Sequence, residues 1–130
     1  MDRSRDLLAD VEDFLAAAQD LLRTVRWSKV CFSSQQAAAL WLKSVLNRLG
    51  VERRGHALTE LLEEVSSHLP EARKFEDHVR VLDQYYIPTR YANAYASGPA
   101  KDRYTESQAR QAVQLASELL SWMRKIVFQG

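Results

Sequence analysis

The chain has 130 residues, 46% hydrophobic and 27% charged, with 18 Lys and Arg against 17 Asp and Glu. A net charge of +1 excludes a molecule-wide field that would draw in nucleic acid, so any anion site must come from a local cluster. One cysteine, Cys31, excludes an internal disulfide.

This length suits one domain with its own core, and residues 1–130 are read as a single domain. No run approaches the ~20 apolar residues of a membrane span. The start, Met1-Asp2-Arg3-Ser4-Arg5-Asp6, is charged and lacks the apolar stretch of a secretory leader. The expectation is a soluble, cytoplasmic protein with no membrane partner.

Leu7, Val11, Phe14, Ala18, Leu21 and Val25 recur at helical spacing, widened by Leu8, Leu15 and Leu22, and predict a first helix. Ser28 is placed to cap a second helix. Along it Cys31, Gln35, Ala38, Leu42, Val45 and Leu49 repeat the spacing until Gly50 supplies a stop. Ala37, Ala38 and Ala39 leave room for a close neighbour, and one of Gln35 and Gln36 must meet the buried stripe, where its amide needs partners. A short polar connection from Val51 to His56 leads to a short third helix, Ala57 to Leu69, with Leu58, Leu61, Leu62 and Val65 on one face. Pro70 suits the first turn of a fourth helix carrying Ala72, Phe75, Val79, Leu82 and Tyr86. Pro88 should end that helix by pushing Ile87 out of helical geometry. Thr105-Glu106-Ser107-Gln108 is a capping box. It opens a last helix with Ala109, Val113, Ala116, Leu120, Met123 and Val127 along one side and Trp122 off that line.

The expected fold is therefore all-α: an up-and-down antiparallel helical bundle of four long helices plus one short helix. Leu8, Leu15, Leu22 and Trp122 make the stripes wider than strict core spacing, a sign of apolar surface covered by a second copy. Phe128-Gln129-Gly130 reads as native sequence or a protease-site remnant and carries no functional argument.

Tyr85-Tyr86-Ile87-Pro88-Thr89-Arg90-Tyr91-Ala92-Asn93-Ala94-Tyr95 is unlike the helical sequence around it. Together with Lys101, Arg103 and Tyr104 it combines cations that hold phosphate with ring faces that stack bases, which suits a nucleotide or single-stranded RNA. The competing reading makes the tyrosines plugs at the end of the bundle, leaves Lys101 and Arg103 solvated, and ties Arg90 to Asp83 or Asp102. Metal chemistry finds no ligand set, since His56, His68 and His78 are isolated and no histidine lies three residues after a Glu. Cys31 falls on an apolar stripe, where a buried, inert thiol is expected. All four glycines are single, so there is no phosphate-cradling glycine loop, and no cofactor is expected.

Cys31-Phe32-Ser33-Ser34-Gln35-Gln36-Ala37-Ala38, then Leu42-Lys43, Leu49-Gly50, Gly55-His56-Ala57-Leu58 and Leu61-Leu62, then Tyr86-Ile87-Pro88-Thr89-Arg90-Tyr91, follow one another in an order that resembles the HEPN domain family along nearly the whole chain. The resemblance implies a helical bundle that commonly dimerises. It also implies a partnership with a small nucleotidyltransferase in a toxin–antitoxin-like pair, and a cleft for nucleotides or RNA. Many members are metal-independent ribonucleases with an Arg followed, four to six residues on, by a His. Arg90 matches the Arg, but Tyr95, Ala96 and Ser97 stand where the His would fall. Losing that imidazole removes a proton-transfer group worth about 10²–10⁴-fold near neutral pH. Ala39-Leu40-Trp41 likewise replaces a Glu-Lys pair frequent in relatives, which points to a modified interface.

The expectation is thus a nucleotide- or RNA-binding module in which Arg90 contacts phosphate and Tyr86, Tyr91, Asn93 and Tyr95 shape the pocket. The competing functions are a ribonuclease with a degenerate motif and a non-catalytic structural dimer.

Overall fold

The computed structural model describes residues 2–52, 57–86 and 99–127. Within them the chain is all-α, in five helices. These are α1 (Ser4–Arg23), α2 (Trp27–Arg48), α3 (Leu58–His68), α4 (Glu76–Asp83) and α5 (Glu106–Val127), with short 3₁₀ turns at Pro70–Phe75 and Ala100–Arg103. No helix among the described residues is long and apolar enough to cross a membrane.

The bundle is built around α2, which touches every other helix. Its sequence permits this because small residues, Ser33, Ser34, Ala37, Ala38, Ala39 and Ser44, are buried alongside Val30, Leu42, Val45 and Leu46. Neighbours can therefore approach on several sides without clash. α1 lies antiparallel to it. Ser44 Oγ donates to the Ser4 carbonyl at 2.7 Å, the Arg3 N–H donates to Asn47 Oδ1 at 2.6 Å, and Arg48 pairs with Asp2 at 3.2 Å. Across the bundle the Trp41 indole N–H donates to the Leu119 carbonyl of α5 at 3.2 Å. α3 and α4 also run antiparallel, since the Leu58 N–H at the start of α3 donates to Asp83 Oδ1 at the end of α4, at 3.0 Å.

The helix ends follow local chemistry. Gly50 adopts a φ of +81°, its N–H donating to the Asn47 carbonyl and the Val51 N–H to the Leu46 carbonyl. That is the Schellman closure that a glycine after the last turn allows. The capping box also forms, with Gln108 N–H on Thr105 Oγ1 at 3.1 Å and Thr105 N–H on Gln108 Oε1 at 3.0 Å. Ser28, expected as the cap of α2, is instead a buried residue inside it. Arg26 occupies the cap position with no side-chain hydrogen bond.

α1 closes by the same Schellman pattern as α2, Val25 N–H to the Leu22 carbonyl and Arg26 N–H to the Leu21 carbonyl, but with valine where glycine is preferred. Val25 sits at φ 63° and is 63% exposed. A β-branched residue is strained there and the exposed side chain offers little packing in return. Val25→Gly is expected to raise stability by about 0.5–1 kcal/mol, read as a higher melting temperature. Asp83 is expected to act in the opposite sense. Its carboxylate serves as a cap from outside for α3, so Asp83→Ala should cost about 1 kcal/mol in a urea titration, with Asn retaining most of the bond.

The fourth helix, expected as one rod from Pro70, has two parts. The 3₁₀ turn Pro70–Phe75 carries Phe75 to Trp122 of α5, ring centroids 5.3 Å apart, with the Lys74 ammonium 4.4 Å above the indole. α4 then ends at Asp83, ahead of the proline break. His78 reaches Glu118 of α5 at 3.3 Å. Leu8 and Leu15 are buried within the single chain, and Leu22 and Trp122 are partly buried against its core. Ala39 and Trp41 are likewise buried, and Leu40 is partly buried against the core.

Candidate ligand-binding site

Asp83 ends α4, Tyr85 and Tyr86 follow it, and Tyr104 follows the 3₁₀ turn that precedes α5. The tyrosines at this point divide into two kinds. Tyr85 and Tyr104 are buried, their rings meeting edge-to-face at 5.7 Å. They join the end of α4 to the start of α5, so they are plugs and not stacking platforms. Tyr86 is only half-buried and faces Phe32 of α2, ring centroids 6.4 Å apart at 32°.

Of the expected site residues, Tyr86 is thus placed at the mouth of the stretch beside a second aromatic ring. Arg90, Tyr91, Asn93 and Tyr95 lie outside the described residues, as do Ile87, Pro88, Ala96 and Ser97. Asp83 and Asp102, the carboxylates considered for Arg90, have described partners: the Leu58 N–H and the Lys101 ammonium at 3.0 Å. Lys101 and Arg103 are exposed.

Behind the aromatic corner lies a polar patch in the hub helix. Gln35 is fully buried, and its Oε1 accepts from Gln36 Nε2 at 2.7 Å, while its own Nε2 and the Ser34 hydroxyl have no hydrogen-bond partner among the described residues. The expected buried amide is therefore present but half satisfied. Each orphaned group costs about 1–3 kcal/mol. Cys31, one turn earlier, is fully buried, and desolvation pushes its thiol up to about 12. It is no nucleophile at neutral pH. Among the described residues no three His, Cys, Asp or Glu side chains gather as metal ligands would.

Residue types alone did not single out a cluster at the turn between α1 and α2. Arg26, Trp27 and Lys29 line a cavity shared with Lys101 and Asp102. The one sequence signal was a tryptophan between two cations, which resembles any interhelical turn.

An all-α bundle packed around a central buried helix defines a helical-bundle domain. The HEPN domain profile matches residues 4–126, and the chain belongs to the HEPN domain family. It is similar to TT1696 from Thermus thermophilus, at 34% identity over 96% of this chain and 98% of that chain, with a TM-score of 0.91. It is also similar to ST0689, an archaeal HEPN homologue, at 28% identity over 98% and 99% of the two chains, with a TM-score of 0.81. A HEPN domain protein from Thermotoga maritima, tm0613, shares 26% identity over 96% and 99%, with a TM-score of 0.76. No curated protein matches the chain.

Proposed function

We propose that this HEPN domain is a nucleotide- or RNA-binding module, in which Arg90 contacts phosphate and Tyr86, Tyr91, Asn93 and Tyr95 shape the pocket. It acts as a homodimer and as the partner of a small nucleotidyltransferase in a toxin–antitoxin-like pair. Family membership supports the ligand class. The observation that carries the location is the division among the tyrosines. Tyr85 and Tyr104 are buried against each other, whereas Tyr86 is half-buried beside Phe32 and stands next in sequence to the stretch that supplies Arg90. Binding without turnover accords with Tyr95, Ala96 and Ser97 at the positions of the family's catalytic His, because a phenol with a reference pKa near ~10 is a poor base at pH 7.

The test uses a fluorescent single-stranded RNA in EDTA, with wild type and Arg90→Ala side by side. Anisotropy reports binding and a denaturing gel reports cleavage. Binding by wild type, weakened at least about tenfold in Arg90→Ala and without cleavage, is the expected result. Equal binding by the two proteins would remove Arg90 from the site. Chelator-resistant cleavage lost in Arg90→Ala would make the protein a ribonuclease.

A further inference from the structure

α3 and the segment after it, from the 3₁₀ turn Pro70–Phe75 into α4, enclose a cavity of about 170 Å³ that the Arg90 reading does not use. Its apolar lining comes from the buried Leu62 and Val79. Four charged side chains stand around it, Glu63 on α3 and Arg73, Glu76 and Arg80 on the following segment. The volume falls below the roughly 300–1,000 Å³ of drug-sized sites, so the cavity suits a ligand of few atoms.

Two features distinguish this cavity from ordinary charged surface. The charges do not close on one another. All four groups are exposed and have no ion-pair partner among the described residues, although Glu76 and Arg80 have the spacing at which Glu106 and Arg110 of α5 pair at 2.7 Å. The second feature is Ser66, which lines the cavity while only 2% exposed, its hydroxyl without a hydrogen-bond partner among the described residues. A hydroxyl set so deep calls for a polar partner inside the cavity, since leaving it unpaired costs about 1–3 kcal/mol.

Two guanidinium groups against two carboxylates leave the cavity with no net charge. A simple anion would be repelled by Glu63 and Glu76, and a simple cation by Arg73 and Arg80. A molecule carrying both signs a few atoms apart meets both demands through charge-assisted hydrogen bonds. Leu62 and Val79 add a surface on which an alkyl group is removed from water.

We propose that this cavity binds a free aliphatic α-amino acid. The guanidinium groups of Arg73 and Arg80 and the Ser66 hydroxyl take its carboxylate, Glu63 and Glu76 take its ammonium, and Leu62 and Val79 lie against its side chain.

The test is calorimetric titration of the full chain with L-leucine at pH 7 and low salt, beside two analogues that each lack one charge, 4-methylpentanoate and 3-methylbutylamine. L-leucine should bind wild type, and each analogue should bind at least about tenfold more weakly, because each forfeits charge-assisted contacts. Arg73→Gln/Arg80→Gln and Glu63→Gln/Glu76→Gln should each weaken L-leucine at least about tenfold, and Ser66→Ala should weaken it severalfold. Matching far-UV circular dichroism would establish that the variants are folded. Absence of L-leucine binding, an analogue that binds as tightly as L-leucine, or binding unchanged in either double variant would overturn the proposal.

Discussion

Trp41→Ala is expected to remove about 3–5 kcal/mol of unfolding free energy, a large share of the roughly 5–15 kcal/mol typical of a domain. The indole is 1% exposed, and its N–H donates to the Leu119 carbonyl at 3.2 Å, so the substitution empties a large volume and unties α2 from α5 together. Trp41→Phe separates the two effects. It keeps much of the ring volume and loses the hydrogen bond, which should cost about 1–2 kcal/mol. Urea unfolding followed by far-UV circular dichroism decides the matter through the midpoint, with an unchanged slope showing that the loss is one of stability. An alanine variant as stable as wild type would mean that Trp41 is not a core residue.

The second large effect is chemical. With Cys31 fully buried and its thiol pushed up to about 12, the native protein should resist alkylation at pH 8. The thiolate fraction there is about one part in ten thousand, against roughly a tenth for an unburied thiol near 9.0. Labelling by iodoacetamide should therefore be slowed about a thousandfold and restored in urea. The same burial sets a dependence of stability on pH. Because the folded thiol holds its proton to about 12 and the unfolded one releases it near 9.0, the unfolded state binds fewer protons between these values. The contribution is complete below pH 9 and lost as pH rises towards 12, at about 1.4 kcal/mol per pH unit. In Cys31→Ala that alkaline loss should shrink. Equal alkaline slopes in the two proteins would show that the thiol is not desolvated.

The legible parts of this fold have strictly local signals. A glycine that tolerates φ of +81° stops α2, and Thr105 and Gln108 exchange hydrogen bonds across one turn, so each could be read from a few neighbouring residues. The end of α1 was harder, because Val25 occupies a left-handed position that its residue type disfavours. Spacings of three and four do not distinguish a 3₁₀ turn from an α-helix over so short a run as Pro70–Phe75. Part of the stripe width has an origin within the chain. α1 packs on both α2 and α5, and a helix with two neighbours needs Leu8 and Leu15 as core without any second chain.

At the candidate site, Tyr85, Tyr86 and Tyr104 were equivalent as residue types, and tertiary packing separates the two plugs from the half-buried ring. The cavity beside Trp27 was invisible for a related reason. Its cations come from two turns distant in sequence, which pattern alone cannot join.

The position of α2 at the centre of the bundle also bears on the order in which a ribosome delivers the chain. α1 and α2 are linked by a three-residue turn and can pair once both have emerged. The face of α2 that presents Trp41 must wait for Leu119. Through most of synthesis the nascent hairpin therefore shows an uncovered apolar surface, which makes it the segment a chaperone would hold and the one from which aggregation would start.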